Sequence, residues 1–303
     1  MATFWTMRQA LTCLIGSTAC TLVLSLSGYA IWSHAKQSRL HNPAHSVRAI
    51  VQTGPAKEAL KTVYLAELLG LSIDRETNLY AFDLKKGEEK LLASPLIAKA
   101  KIRKMPPHAL YIEYEVRHPI ARLGDYQNIA VDREGYLFPL SPFFSPKELP
   151  ELYLGLPSFG ADEDAMGRKG GLWQTPLKNR YLPLALEMLQ FLEGSAWKEG
   201  MKVRRIDVSN AFAPSLGRRE IVLCTEEELS IFREAGVTRS VFPKILRLAT
   251  KDYPQQLAHF FSLRKNMLDD YRKQIAEAPE AGRYATRIVD LRIPQLAFVE
   301  NPP

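Results

Sequence analysis

Three histidines near the N-terminus, His34, His41 and His45, belong to the residue type that most often binds transition metals. His41 and His45 have the spacing that places two side chains on one face of a helix, as a shared metal ion requires. Asn42-Pro43 lies between them, and the residue before a proline disfavours the helical conformation. We therefore interpret residues 34–45 as a solvated polar linker and predict no metal site in it.

The other side chains that could do chemistry have structural explanations. Cys224 ends an apolar strand pattern, which favours a place in the core over a nucleophilic role. Asp132-Arg133-Glu134-Gly135 lies between two apolar runs and is typical of a hairpin turn. The sequence contains none of the phosphate-loop, dinucleotide-binding, nucleophile-elbow or His-Glu-x-x-His motifs that accompany common catalytic sites. We predict that the protein is not an enzyme and uses no cofactor.

The element that positions the rest of the chain is an apolar segment near the N-terminus. Residues 9–33 carry no charged side chain, and Arg8 and His34 flank them. As a helix they reach roughly 37 Å, enough to cross a hydrocarbon core of about 30 Å. We predict a cytoplasmic tail at residues 1–8 and a single transmembrane helix at residues 9–33, with the bulk of the chain extracytoplasmic.

A cleaved signal peptide is the alternative interpretation of this segment. Gly28 and Ala30 are small residues in positions that a signal peptidase reads. The apolar stretch is about twice as long as a signal peptide needs. Trp5, Tyr29 and Trp32 lie near its two ends, where aromatic side chains meet a bilayer interface. These features favour a membrane anchor, while the flanking charges leave its orientation open.

The composition limits the choice of partners. The chain has 40 Lys and Arg against 33 Asp and Glu, a formal net charge of +7. The surplus is spread thinly, so nucleic-acid binding has little support, and facing an anionic lipid surface is the simpler use of it. Cys13 and Cys20 lie inside the apolar segment, which leaves Cys224 without a disulfide partner in its own domain.

Residues 46–117 predict one compact unit with the order β-α-α-β-β. Gly70 is placed to end the first helix. The last two strands alternate apolar with charged residues, and Lys or Arg on one strand faces Glu on the next. The predicted elements are a strand at 47–52, helices at 57–69 and 83–93, and strands at 98–103 and 110–117 joined by a hairpin turn at 105–108.

Residues 118–300 predict a larger domain of mixed, mainly antiparallel β structure with helices. Thr225 and Glu228 form a capping-box pattern, which predicts a helix closed by Gly236. Residues 160–171 are rich in Gly and Asp and predict a mobile loop. The other predicted elements are a hairpin at 129–138, a helix at 182–192, strands at 203–208, 219–223 and 287–292, and a mostly helical stretch at 244–268 interrupted around Pro254.

Six local patterns occur in the order found in a known protein family. They are Asn78–Asp83, Ser94–Pro106, Leu110–Ala121, Val131–Phe138, Leu149–Gly155 and Ile288–Arg292. Behind a single anchor, they make the chain resemble the FtsQ/DivIB family of bacterial cell-division proteins over most of its length. The segment Ile293-Pro294-Gln295 departs from the family pattern, because Pro294 cannot donate a hydrogen bond to a neighbouring strand.

The resemblance implies both the fold and the function. The implied fold is α+β, with one N-terminal transmembrane helix, a POTRA domain at residues 46–117 and an FtsQ-type β domain at residues 118–300. The protein is then expected to be a bitopic scaffold of the division machinery, in the cell inner membrane at the septum. It is expected to bind FtsB/FtsL-type coiled-coil proteins and to help control septal peptidoglycan synthesis, with further division proteins contacting the POTRA-like domain.

The last predicted strand is the expected partner-binding site. A strand near the C-terminus is a natural sheet edge, whose free N–H and C=O groups can accept a partner strand. The alternating residues of this strand could instead close the core, an equally good interpretation for Ile288 and Leu291. By position, the resemblance implies partner contacts at Arg287, Ile288, Val289, Asp290, Leu291, Arg292, Ile293, Gln295 and Phe298.

Two functions of other classes stay open on the sequence alone. One is a POTRA-bearing accessory protein of a transport or outer-membrane assembly pathway, although such units usually recur in tandem. The other is a secreted cell-wall enzyme, which would require that the apolar N-terminal segment is cleaved.

Overall fold

The protein has an α+β fold, and its computed structural model describes residues 7–72, 74–157, 173–194, 200–233, 236–277 and 284–300. The chain divides into two compact units. Unit 1 comprises residues 1–92 and 97–116, and unit 2 comprises residues 93–96 and 117–303. The loop predicted at residues 160–171 and most of the predicted N-terminal tail lie outside the described residues.

Helix α1 runs from Met7 to His41, a length of 35 residues. It is long and apolar enough to cross a membrane. The prediction of a linker at residues 34–45 is wrong for the stretch up to His41, which is helical. The helix continues because neither Gly nor Pro occurs between the apolar segment and Asn42-Pro43. Arg39 and His41 in its last turn also complement the negative end of the helix dipole.

The C-terminal end of α1 is fastened to the rest of unit 1. The side-chain amide of Asn78 donates to the backbone carbonyl of Arg39 at 3.0 Å. The guanidinium of Arg39 lies 5.7 Å from the ring centroid of Tyr80, and the ring of His45 meets that same ring edge-on at 5.0 Å. A short 3-10 turn, Pro43–His45, links the helix to the first strand.

Unit 1 has a three-stranded sheet in the order β1-β3-β2. Strand β1 runs parallel to β3, and β2 pairs antiparallel with β3. The β-α-α-β-β order agrees with the sequence prediction. The elements are β1 (Ala49–Thr53), α2 (Thr62–Leu69), α3 (Leu84–Leu92), β2 (Ile97–Met105) and β3 (Ala109–Val116).

The two faces of this sheet follow the alternation in its sequence. Leu65 of α2 and Leu91 of α3 are buried with Ile102, Leu110 and Ile112 of the sheet. Gly70 ends α2 with φ of 71°, a left-handed conformation that glycine adopts at little cost. The other face carries the predicted cross-strand ion pairs, Lys99 with Glu115 at 2.8 Å and Arg103 with Glu113 at 3.8 Å.

Among the described residues of unit 2, nine strands form one sheet in the order β12-β11-β10-β9-β8-β7-β4-β5-β6. The strands are β4 (Ala121–Leu123), β5 (Ile129–Val131), β6 (Leu137–Pro139), β7 (Glu151–Tyr153), β8 (Met201–Asp207), β9 (Ile221–Arg233), β10 (Gly236–Leu248), β11 (Arg287–Asp290) and β12 (Phe298–Glu300).

Two helices, α4 (Tyr181–Gly194) and α5 (Tyr253–Glu277), cover one face of this sheet. Helix α4 joins β7 to the parallel strand β8, and α5 joins β10 to the parallel strand β11. Both crossovers step the same way along the sheet, so the right-handedness of such connections places both helices on the same side. Their apolar residues, including Met188, Leu257 and Phe260, form one core with Leu223 and Leu246 of the sheet.

The predicted helix from Thr225 to Gly236 is wrong, because these residues extend β9 and begin β10. Along β9, Leu223, Thr225 and Glu227 are buried while their neighbours are less so, the alternation of a strand. The helix-favouring glutamates are held in the strand by basic partners on neighbouring elements, and such tertiary contacts override local propensity.

The helix predicted for residues 244–268 is wrong in its first part. Residues 244–248 belong to β10, and α5 begins at Tyr253. Pro254 therefore lies in the first turn of α5, where its missing N–H costs nothing, and it does not interrupt a longer helix.

The turn predicted between β5 and β6 is confirmed. The carboxylate of Asp132 accepts hydrogen bonds from the backbone N–H groups of Glu134 and Tyr136 and from the Arg117 guanidinium at 2.9 Å. The same guanidinium lies 3.6 Å from the ring centroid of Tyr136. Gly135 completes the turn with φ of 85°. Asp132 therefore has a structural role, as expected from the sequence.

Replacing Gly135 by alanine should destabilise the protein by about 1–2 kcal/mol, because an L residue resists positive φ. Its added Cβ would also meet Leu182 of α4 at 2.9 Å. Gly194→Ala is the matched control, since among the described residues no atom lies within 4 Å of the added methyl group. Urea unfolding of both variants measures the difference, and equal stabilities would contradict the assigned strain at position 135.

Candidate functional site

The residues predicted to bind a partner occupy the C-terminal end of the nine-stranded sheet. Arg287, Ile288, Val289 and Asp290 form β11; Leu291, Arg292, Ile293 and Gln295 lie in the connection that follows; Phe298 begins β12. They are therefore brought together in one hairpin, although they do not share one exposed surface.

The expectation that residues 288–292 form the sheet edge is wrong. Strand β11 pairs with β10 on one side and with β12 on the other, and β12 is the edge. The register of the last pair places Val289 opposite Val299 and Asp290 opposite Phe298. The free N–H and C=O groups available to a partner strand therefore belong to Phe298–Glu300.

Pro294 explains why the chain reverses at this point. The N–H of Leu296 donates to the carbonyl of Ile293 at 3.2 Å, and Gln295 has φ of 63°. Proline at the second position and positive φ at the third are the features of a type II turn. Pro294 and Gln295 therefore form the turn that precedes a further strand, β12.

The predicted contact residues in this hairpin differ in their exposure to solvent. Val289 and Leu291 are buried in the core, and Arg287 and Ile288 are half-buried. The alternative interpretation, closure of the core, is thus correct for Leu291. Phe298 is 57% exposed. Because a partner can reach Phe298 without opening the core, it is the most accessible of the predicted contact residues that β11 and β12 supply.

Exposed apolar side chains flank the free edge on both faces of the sheet, since the neighbouring strand residues Phe298 and Val299 point to opposite faces. We name these side chains the C-terminal apolar patch; its members are Ile293, Leu296, Phe298 and Val299, each 44–57% exposed. The turn that contains the exposed Leu216 lies close by, since the guanidinium of Arg292 donates to the carbonyl of Gly217 at 3.3 Å. Clustered exposed apolar side chains mark interaction surfaces more often than single ones do.

Charged residues hold the segment after β11 in place. The Arg292 guanidinium donates to both carboxylate oxygens of Asp290, at 3.0 Å and 2.7 Å. Arg247 of β10 and Glu220, the residue before β9, extend this network. Partial burial acts to raise the pKa of Asp290, but the hydrogen bonds and charge of Arg292 outweigh it and hold that pKa below its usual value.

A cluster of buried charges lies behind the edge. We name Glu227, Lys244 and Arg264 the buried ion cluster. The carboxylate of Glu227 pairs with the Lys244 ammonium through one oxygen and with the Arg264 guanidinium through the other, at 2.7 Å. Glu227 and Lys244 are both 1% exposed. The cluster thus joins β9, β10 and α5 in the interior of unit 2.

Aromatic rings complete the surroundings of this cluster. Tyr271 of α5 stacks on Phe242 of β10 at 4.0 Å between ring centroids, and Tyr284 stacks on Phe242 at 4.3 Å. The Lys244 ammonium lies 4.9 Å from the Tyr271 ring. Burial lowers the pKa of Lys244, opposed by the charge of Glu227, and burial raises the pKa of Tyr271.

The titratable groups at this end of the sheet are paired or buried. Glu227, the most buried carboxylate at this end of the sheet, is fully engaged by two cations and is closed off from solvent. Burial raises the pKa of the Cys224 thiol, which disfavours the nucleophilic thiolate. In the part of the chain that the structure describes, no group of three or more His, Cys, Asp or Glu side chains is placed to hold a metal ion.

The buried ion cluster and strand β12 were not predicted from the sequence. Glu227 lies within the run Glu226-Glu227-Glu228, which looks like a solvated face, and no local signal marks the middle residue as buried. Strand β12 has only three residues, Phe298–Glu300, too few for a periodic pattern. Pro294 followed by Gln295 was the available signal, because it favours a turn.

No family model matches this chain, and no curated protein sequence matches it either.

Glu227→Gln should lower the free energy of unfolding by about 3–5 kcal/mol, because the buried Lys244 ammonium then loses its carboxylate and Arg264 loses this ion pair. Glu228→Gln is the matched control on the next residue; its ion pair with Arg239 is exposed, so it should cost under about 1 kcal/mol. Urea denaturation followed by circular dichroism measures both. Similar losses in the two variants would refute the distinction between buried and exposed pairs.

The low pKa of Asp290 predicts a pH dependence. A carboxyl group whose pKa is lower in the folded state stabilises the protein above its unfolded pKa of about 4 and loses that contribution as the pH falls further. Asp290→Asn should therefore be less stable than the natural protein at pH 7, and the difference should shrink below about pH 4. Chemical denaturation across this range tests it; a difference that does not depend on pH would contradict the assignment.

Proposed function

We propose that the protein is a bitopic membrane scaffold of the bacterial division machinery that binds FtsB/FtsL-type coiled-coil partners. Through them it helps to control septal peptidoglycan synthesis. Its N-terminus is cytoplasmic, helix α1 crosses the inner membrane, and the sheet of unit 1 and all of unit 2 are extracytoplasmic, at the division septum. The observation that supports the proposal best is the free edge of β12 with its C-terminal apolar patch.

The free edge suits a partner that adds a strand. The outer side of Phe298–Glu300 offers backbone hydrogen bonds, which supply affinity, and the patch offers apolar contacts, which supply specificity. The buried side chains of β11 and the network of Asp290 and Arg292 hold the edge rigid. A rigid edge binds with a smaller loss of conformational entropy than a flexible segment would.

Anchoring in a membrane favours the same proposal. A scaffold and a partner that both cross one bilayer meet at a high effective concentration, so an interface of a few residues suffices. Helix α1 is long and apolar enough to provide the anchor. The β-α-α-β-β order of unit 1 supports its interpretation as a POTRA-like domain, a second docking site for other division proteins.

In-cell photo-crosslinking tests the proposal. A photoreactive amino acid placed in turn at Ile293, Gln295 and Phe298 should crosslink to a small single-span coiled-coil protein, identified by mass spectrometry. A probe at Arg239, which is exposed on the same sheet but far from the edge in strand register, is the control and should give no such product.

A charge placed on the patch should break the contact. Phe298→Asp is expected to lower the affinity for the partner by about tenfold or more, because an exposed aromatic contact residue is lost. Phe298→Tyr should retain binding, because it keeps the aromatic ring. Thermal unfolding shows whether both variants fold alike. Absence of crosslinks at all three positions in a folded, membrane-inserted chain would refute this interface, and turnover of peptidoglycan by the isolated protein would refute the scaffold.

A further inference from the structure

One face of helix α1 carries aromatic rings followed by cations. Tyr29, Trp32, Lys36 and Arg39 are spaced three or four residues apart, so they share this face of the helix. The rings of Tyr29 and Trp32 lie 6.0 Å apart, and the Lys36 ammonium lies 5.1 Å from the Trp32 ring centroid. Each of these side chains is exposed. We name this row of side chains the α1 stripe.

The α1 stripe lies at the height of a bilayer interface. Where α1 crosses a membrane, the uncharged residues 9–33 fill the hydrocarbon core, and Tyr29 and Trp32 lie at its boundary, where aromatic side chains are enriched. Arg39 lies about 9 Å beyond Ser33 along the helix axis. The headgroup layer is about 5–8 Å thick, and Lys and Arg side chains near helix ends extend toward it. The cations of the stripe therefore reach the level of the lipid phosphates.

The two cations of the stripe are available to an anionic ligand. Within the residues that the structure describes, neither Lys36 nor Arg39 makes an ion pair; each contacts an aromatic ring instead. The chain contains no acidic residue before Glu58. Glu76, an acid close to this junction, accepts a hydrogen bond from the Ser46 hydroxyl at 2.7 Å and pairs with neither cation. The charge beside the membrane is therefore positive, which attracts anionic lipid headgroups.

The β2–β3 hairpin is held beside the cations. The Lys104 ammonium donates to the backbone carbonyl of Tyr80 at 3.0 Å, and the ring of Tyr80 lies 5.7 Å from the Arg39 guanidinium. A ring nitrogen of His45 lies 3.3 Å from the carbonyl oxygen of Pro107. These contacts fasten the end of the hairpin to the last turns of α1 and to the 3-10 turn that follows it.

The end of this hairpin is apolar and exposed. We name Met105-Pro106-Pro107 the hairpin tip; all its residues are exposed, Met105 by 44%. Exposed apolar side chains that are bordered by polar groups mark surfaces that meet a protein or a membrane. Because the tip belongs to the end of unit 1 that is fastened to α1, the membrane is the surface within its reach.

We propose that an anionic phospholipid binds at this junction. Its phosphate contacts Lys36 and Arg39, and its glycerol and upper acyl region contact Trp32 and the hairpin tip. A zwitterionic lipid carries the same phosphate beside its own ammonium group, so it gains less from the two cations. The proposal rests on the membrane anchor of the proposed function. It does not involve the C-terminal edge, which belongs to unit 2, so the two surfaces can fail separately.

Lipid selectivity of the full-length chain is the first test. Native mass spectrometry of the chain in a nonionic detergent, with phosphatidylglycerol and phosphatidylcholine added at equal concentration, measures the binding of each lipid. Phosphatidylglycerol should bind at least about tenfold more tightly. Lys36→Gln and Arg39→Gln should each lower this preference by about fivefold, whereas Arg39→Lys should retain most of it because it keeps the charge.

A matched control removes a charge elsewhere on unit 1. Lys99→Gln lies about 20 Å from Met105 along β2, so it should bind both lipids like the natural chain. Circular dichroism shows whether the variants fold alike. An equal loss of preference in Lys99→Gln would mean that net charge, not this site, selects the lipid, and would overturn the proposal.

Photo-crosslinking in nanodiscs that contain both lipids locates the tip. A photoreactive amino acid at Met105 should yield a phospholipid adduct, identified by mass spectrometry. Leu92 is the control, because it is 45% exposed, like Met105, but ends α3 away from the tip. The direction of α3 follows from Glu88, in its middle, which accepts from the N–H of Ile102 at 2.9 Å. A probe at Leu92 should give no lipid adduct.

Four outcomes decide against the proposal or against its basis. Equal binding of the two lipids would show that no anionic lipid site exists here, and so would a preference unchanged in both charge variants. Crosslinks from Met105 to a protein in cells, with no lipid adduct, would assign this surface to a protein partner instead. Cleavage of the apolar N-terminal segment in cells would refute the lipid site and the anchor together. Confirmed lipid selectivity with no crosslink at the C-terminal edge would contradict the proposed division interface alone.

Discussion

One buried carboxylate, that of Glu227, holds together the half of unit 2 that carries the candidate site. It lies in a dry interior between a lysine from the neighbouring strand and an arginine from the covering helix. Taking the charges of Glu227 and Lys244 out of water is expensive, and apolar residues of similar volume would fill the space at lower cost. The ion pairs instead specify geometry, because Lys244 pairs with one oxygen of the Glu227 carboxylate and Arg264 with the other. They thereby fix the position of α5 against β9 and β10.

The C-terminal edge depends on this arrangement. Strand β10 pairs with β11 so that Lys244 lies opposite Arg287, and β11 in turn templates β12. Helix α5 also supplies Tyr271, whose ring contacts the side chains of Lys244 and Arg287. The position of the edge strand β12 therefore depends on successive strand pairings that begin at β10 in the core. A defect in the core could weaken partner binding without changing any exposed residue.

The sequence predicted unit 1 far better than unit 2, and the physical reason is the range of the interactions involved. In unit 1, alternation in β2 and β3, Gly70 and the charge pairing across strands are local signals, and the structure has all of them. In unit 2, the fate of residues 225–248 depends on partners far away in the chain. Glu226, Glu227 and Glu228 favour a helix locally, yet they lie in strand β9, where Lys244 and Arg264 neutralise the charge of Glu227.

The sequence predicted that the residues of the candidate site lie near one end of the sheet, but not how their strands pair. Arg287 to Phe298 do gather at one end of the sheet, yet β11 proved internal because a short hairpin follows it. A three-residue strand leaves no periodicity to read. The turn at Pro294 and Gln295 was visible in the sequence, but the pairing that it permits depends on Val289 and Val299 meeting across the register.

The junction between α1 and unit 1 has a geometric consequence. Helix α1 continues to His41, and Asn78 and Tyr80 contact Arg39 in its last turn. The rotation of α1 about its own axis therefore also fixes the direction that the sheet of unit 1 faces. Each residue of a helix advances the azimuth by about 100°. If α1 crosses a membrane, the number of residues between the bilayer and this contact therefore sets the direction, about the helix axis, that the sheet of unit 1 faces.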